Sequence, residues 1–121
     1  MAGTDTRERA QQPEDLTRLF VERGNAGDAE GLAALYESDA VIGFPPGQST
    51  VGHAPIRALY EHMLAAKPVF KLEDPLPTLR LGDLALTATR SADKTGVRTQ
   101  VVRRQPDGTW LRIIDRPETR G

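Results

Sequence analysis

The sequence predicts a single α+β domain, and two observations carry that reading. Apolar stripes of helical period are confined to the stretch ending at Pro68, and from Val69 onward apolar residues recur in short β-prone runs separated by glycine- and aspartate-marked turns. At 121 residues the chain has the length of one ordinary domain with a core of its own. Helices gathered in one half and a meander in the other pack as a helical layer over the concave face of a bent antiparallel sheet.

The elements follow in order. Residues 1–12 hold no apolar side chain beyond Met and Ala and read as a tail before a domain over 13–117, with 118–121 as a second tail. Pro13 suits a first helical position, Glu14 and Asp15 complement the dipole, and Leu16, Leu19 and Phe20 share a face until Gly24-Asn25 stops the helix. Asp28 caps a second helix read over Ala29 to Glu37, with Leu32, Leu35 and Tyr36 on its apolar side. Ala40 to Phe44 is a strand ended by Pro45-Pro46-Gly47. Pro55 opens a third helix whose Ile56, Leu59, Tyr60, Met63 and Leu64 recur at helical spacing until Pro68. The β-rich runs are Val69 to Leu81, interrupted by Pro75 and Pro77, then Leu84 to Arg90, Val97 to Gln105 and Thr109 to Asp115. Gly82-Asp83, Asp93-Lys94-Thr95-Gly96 and Pro106-Asp107-Gly108 form the turns between them.

Composition excludes several function classes. A net charge of −1 supplies no bulk field toward nucleic acid or anionic membrane, and Arg103-Arg104, adjacent on a strand, point to opposite faces. Cysteine is absent, so thiolate chemistry and disulfides are excluded. No apolar run approaches the ~20 residues of a membrane helix and the first residues are polar, so a cytoplasmic protein is expected. Ser38, Ser49 and Ser91 lack a nucleophile-elbow context, and Pro45-Pro46-Gly47-Gln48 lacks the lysine of a phosphate loop. His53 and His62 have no carboxylate in a partner motif, so neither a metal nor another cofactor is expected.

Particular words in this order of elements resemble the NTF2-like superfamily, the cone fold of ketosteroid isomerase and the SnoaL-like polyketide cyclases. They are Gly27-Asp28, Leu35-Tyr36-Glu37-Ser38-Asp39-Ala40-Val41, Pro45-Pro46-Gly47, Gly52, Ile56 with Tyr60, and Asp107-Gly108, spread from about Leu16 to Asp115. The resemblance implies a cone with an internal pocket. Laid against ketosteroid isomerase, the general-base position falls on Phe44, the phenolic donor on Phe20 and the protonated acid on Gln100. Hydrocarbon at two of the three positions argues against steroid isomerisation by that mechanism. The cyclases carry an acid/base Asp seven residues after the hairpin glycine, and at that spacing from Gly108 stands Asp115, with Ile114 where a Trp is usual.

Asp115 and Gln100 are therefore the candidate catalytic residues, and Phe20, Tyr36, Phe44, Tyr60, Met63 and Trp110 the candidate lining for a small apolar ligand. Two orientations of Asp115 stay open: into an apolar pocket, or outward between Arg112 and Arg116. The first fits a SnoaL-like acid/base enzyme of cyclase or isomerase type working on an apolar carbonyl compound in secondary metabolism. The second fits a non-catalytic ligand-binding or dimerisation module. In either case an outer sheet face carrying Val, Thr and Leu suits a homodimer.

Overall fold

The computed structural model describes residues 6–91 and 96–120. Its elements are α1 (Asp15–Asn25), α2 (Ala29–Ala33), β1 (Tyr36–Ile42), β2 (Thr50–Val51), α3 (His53–Leu64), β3 (Asp74–Pro75), β4 (Leu79–Leu81), β5 (Leu84–Arg90), β6 (Gly96–Arg104) and β7 (Trp110–Arg120). Helices and sheet are distributed as expected. Among the described residues, no helix is long and apolar enough to cross a membrane.

α1 buries Leu16 and Leu19, and at Gly24 a Cβ would stand 2.5 Å from the Phe70 ring, so only glycine lets the following segment close on the helix. The Asp28 side chain accepts the Gly31 N–H and caps α2. That helix stops at Ala33 rather than continuing to Glu37. The reason lies in the sheet: the Arg112 N–H donates to the Leu35 carbonyl and Tyr36 pairs with Arg112, so the chain is drawn into a ladder where its apolar spacing still allowed a helix turn. Tyr36 thus opens a strand.

The sheet runs β2-β1-β7-β6-β5-β3, with β4 also on β5. Its ladders are antiparallel except that β1 lies parallel to β7, so the sheet is mixed and not the purely antiparallel meander expected. Side-chain alternation fixes which residues share a face but says nothing about a strand's partner or direction. Pro75 and Pro77 confine the Val69–Leu81 run to two short strands on the β5 edge. The turn expected over Asp93-Lys94-Thr95-Gly96 lies, apart from Gly96, outside the described residues.

Within the described residues, 6–12 and 118–120 differ from the tails expected. Residues 6–12 dock on the domain: Ala10 is buried, its carbonyl accepts the Trp110 N–H, and Arg7 grips Asp28 through two bonds of 2.7 and 2.9 Å. Their anchors are ionic and backbone contacts, which a tally of apolar residues does not register. Beyond Asp115, β7 continues along β6 past a second register shift, pairing Thr99 with Arg116, then Val97 with Thr119 and Gly96 with Arg120.

The core packs Leu16, Leu19, Leu32, Ile42, Ile56, Val102 and Trp110 between the helices and the concave face. One irregularity matters for everything below. Val102 pairs with Arg112, but its neighbour Val101 pairs with Ile114, so β7 carries an extra residue, Ile113, with no counterpart on β6. Strict alternation from Arg112 would turn Ile114 inward and Asp115 outward. The bulge reverses this: Arg112 and Asp115 are buried on the concave side and Ile114 is 52% exposed.

Candidate active site

Between α1, α3, the segment 69–73 and the concave sheet lies a cavity of about 690 Å³. Phe20 from α1, Phe44 after β1 and Met63 from α3 border it, joined by Val69 and Phe70. Phe20 meets Tyr60 and Phe70 edge to face, with ring centroids 5.7 and 5.6 Å away. The apolar wall is thus one packed aromatic group.

The opposite wall is polar and comes from the sheet. Asp115, 3% exposed, borders the cavity together with Gln100, Arg112 and Tyr60. The Tyr36 hydroxyl donates to Asp115 Oδ2 at 2.5 Å and lies 2.7 Å from Tyr60 Oη. Arg112 Nη1 stands 3.4 Å from Tyr36 Oη and 3.7 Å from Asp115 Oδ2, while Gln100 Nε2 approaches Asp115 Oδ1 at 3.4 Å. Gln100 is held in turn by Thr87, which donates to its Oε1 at 2.9 Å across the β5–β6 register. The guanidinium of Arg112 packs over Phe20 at 5.0 Å and Tyr36 at 5.8 Å.

The two orientations weighed for Asp115 prove not to be alternatives. The carboxylate faces inward, and Arg112 accompanies it, because the extra residue at Ile113 brings both to one face; Arg116 is exposed and borders the cavity from outside the network. The carboxylate thus accepts the Tyr36 hydroxyl with the Arg112 guanidinium beside it. Burial, then the charge of Asp115, pushes the Tyr36 phenol well above its ordinary value, and the same two causes in that order raise Tyr60. Both stay neutral donors across the physiological range.

Two of the expected lining residues stand elsewhere. Tyr36 lies behind Asp115 and is not among the described residues bordering the cavity, so it touches a ligand only through its neighbours. Trp110 is buried at 2% exposure under Arg80, 5.1 Å from its ring, and borders a smaller hollow beside Arg7 and Ala10. An indole at the start of β7 packs into the closed end of the cone, whereas the cavity opens further along that strand.

Sequence reasoning missed four contributors. From the sequence Arg112 reads only as an outward partner, and no spacing or motif singles out Thr87, Phe70 or the Glu73–Arg98 pair. Arg98 Nε meets Glu73 Oε1 at 2.8 Å, and Arg98 Nη1 donates to the Pro117 carbonyl, bracing the mouth. Thr87 becomes findable once the register sets it opposite Gln100; Arg112 needs the bulge. Among the described residues no group of three or more His, Asp or Glu side chains is placed to hold a metal ion.

The sequence pattern of the SnoaL-like domain matches residues 17–116. No curated protein matches the chain by sequence. Solved structures similar to this chain include an NTF2-like protein from Shewanella oneidensis (21% identity, 87% of this chain and 98% of that one, TM-score 0.68). Another is an NTF2-like protein with a cystatin-like fold from Novosphingobium aromaticivorans (21% identity, 84% and 75%, TM-score 0.64). A third is a ketosteroid isomerase-like protein from Erwinia carotovora atroseptica (17% identity, 85% and 89%, TM-score 0.66). At these identities the likeness concerns the fold.

Proposed function

We propose that this chain, which belongs to the SnoaL-like domain family of the NTF2-like superfamily, binds a small, mostly apolar carbonyl compound in its cavity and moves protons on it through Asp115. One observation carries the reading: a buried carboxylate, held by Tyr36, Gln100 and Arg112, borders a cavity otherwise walled by aromatic and aliphatic side chains. Little else in an apolar pocket explains the burial of an ion pair there.

In that reading Asp115 accepts a proton from carbon or oxygen of the ligand and returns it, as a cyclase or isomerase requires. Gln100 Nε2 and Arg112 face the oxygen on which negative charge develops. The apolar wall excludes water and orients the carbon skeleton. Phe44 occupies the base position of ketosteroid isomerase, so a β,γ-unsaturated ketosteroid is not the expected substrate.

The test is proton exchange at a ketone. In deuterated buffer the methyl group of 2-acetylnaphthalene should gain deuterium faster with the protein than without it, and Asp115→Asn should lower the rate by ~10²–10⁴-fold while the fold persists. Equal rates for both proteins would leave a binding module without acid/base function.

A second observation favours a homodimer in either case. On the convex face Leu79, Leu86, Val101 and Ile114 stand opposite one another across four strands, and three of them are 40–64% exposed. A second copy laying the same row against it would cover both, as an isologous contact requires.

A further inference from the structure

The hydroxyl chain behind the cavity has only one hydrogen-bond direction. Asp115 is the acceptor end: its Oδ2 takes the Tyr36 hydroxyl and its Oδ1 faces the Gln100 amide, with Arg112 beside it. Tyr36 spends its single hydroxyl proton on Asp115 Oδ2. Its oxygen therefore accepts from Tyr60 at 2.7 Å and from Arg112 Nη1 at 3.4 Å, which fills both lone pairs. Tyr60 has then used its own proton, and it is the member of the phenol pair that borders the cavity. Seen from the cavity, Tyr60 Oη is an acceptor, and so is Asp115 Oδ1 where the long Gln100 contact leaves it open. A donor group stands beside them: Arg112 borders the same cavity, and its Nε–H, itself buried, has no partner among the described residues.

We propose that the ligand of this site carries a hydroxyl, phenolic or enolic, that donates to Tyr60 Oη, with an acceptor oxygen facing Arg112. This rests on the cavity reading above and narrows it from carbonyl compounds to hydroxylated or enolised ones. A pure acceptor such as a simple ketone is still met by Arg112 and Gln100 but leaves Tyr60 Oη without a donor, so it binds less tightly than its hydroxylated or enolised counterpart. Tyr60 is thereby a specificity-determining residue, and Tyr36 a positioning residue that sets the direction of the Tyr60 proton.

Three naphthalenes of similar size test it: 2-naphthol, which donates, and 2-methoxynaphthalene and 2-acetylnaphthalene, which only accept. Binding is followed by ligand fluorescence with the full chain. The native protein should bind 2-naphthol about tenfold more tightly than either acceptor, the worth of one hydrogen bond to a polarised chain. Tyr60→Phe should abolish that preference while keeping 2-methoxynaphthalene affinity. Tyr36→Phe should do something a structural defect would not: it returns the Tyr60 proton to the cavity, so 2-acetylnaphthalene should gain relative to 2-naphthol. Equal binding of all three by the native protein, or a naphthol preference that survives in Tyr60→Phe, overturns the inference and leaves the cavity reading standing. If none of the three binds, both are overturned.

Discussion

The two faces of the sheet depart from the usual division, since the concave face buries polar side chains beside Ala85, Val102 and Trp110 while the convex face exposes aliphatic ones. On the concave side β5, β6 and β7 bury Thr87, Thr89, Gln100, Arg112 and Asp115. On the convex side the same strands expose Leu84, Leu86 and Ile114, with Leu79 and Leu81 of β4 beside them. Apolar burial should drive the opposite arrangement, since each buried aliphatic side chain stabilises by roughly 1.5–3 kcal/mol and each buried polar group must find partners. The difference teaches that packing alone does not set this sheet's composition. In the function proposed above the concave polar residues serve what enters the cavity, and the convex row is the surface we propose a second copy covers.

The comparison breaks first at the buried pair. Arg112→Met strands the Asp115 charge inside and should destabilise the protein by about 3–5 kcal/mol in chemical denaturation, whereas the double variant Arg112→Met/Asp115→Leu should recover most of that loss. Single and double variants of equal stability would show that the pair is not desolvated as the concave face requires.

The phenols give the next largest effect. The chain has two tyrosines, and both belong to this network. Their values in the fold are raised above the ~10 of an unfolded tyrosine. Above that pH the unfolded chain has released protons that the native chain retains, so stability is full below about pH 10 and falls as pH rises past it. Tyrosinate absorbance should therefore appear together with alkaline unfolding, in one transition. A gradual tyrosinate signal near pH 10 with the fold intact would mean that the network is open to solvent.

The smallest effect on the fold itself belongs to the convex face. Leu86→Lys should change the stability of the single protomer by no more than about 0.5 kcal/mol, yet convert a dimer into a monomer in light scattering. A native protein that is monomeric at micromolar concentration removes the partner from that face.

How far the sequence carries depends on which kind of information a feature uses. α1, α3 and the bounds of β5 follow from spacing alone, because Leu16, Leu19, Ile56 and Tyr60 announce their faces and Gly82 and Arg90 bracket an unbroken alternation. The SnoaL-like fold follows from local words joined to that order. Asp115, Gln100, Phe20, Phe44, Tyr60 and Met63 border one cavity, so this part of the candidate site was legible one residue at a time. What was not legible is relational. Tyr36 reads equally well as the end of a helical stripe or the start of a strand, and only the Arg112 N–H bonded to Leu35 decides. Arg112 reads as an exterior partner until Ile113 is known to lack a counterpart. The N-terminal segment reads as a tail because Arg7 and Ala10 are held by Asp28 and a backbone amide rather than by apolar burial.

The unmatched residue at Ile113 also bears on how relatives of this chain should be aligned. The seven-residue interval from Gly108 to Asp115 counts a position that contributes to neither ladder nor cavity face. A homologue that has lost it would hold the same acid six residues after its hairpin glycine, still facing inward beside the arginine, now in plain alternation at i and i+2. An ungapped alignment would pair that acid with Ile114 and score the site as absent. An alignment that allows a one-residue gap at Ile113 avoids this, and the residue to look for is the carboxylate that shares a face with an arginine at the position of Arg112.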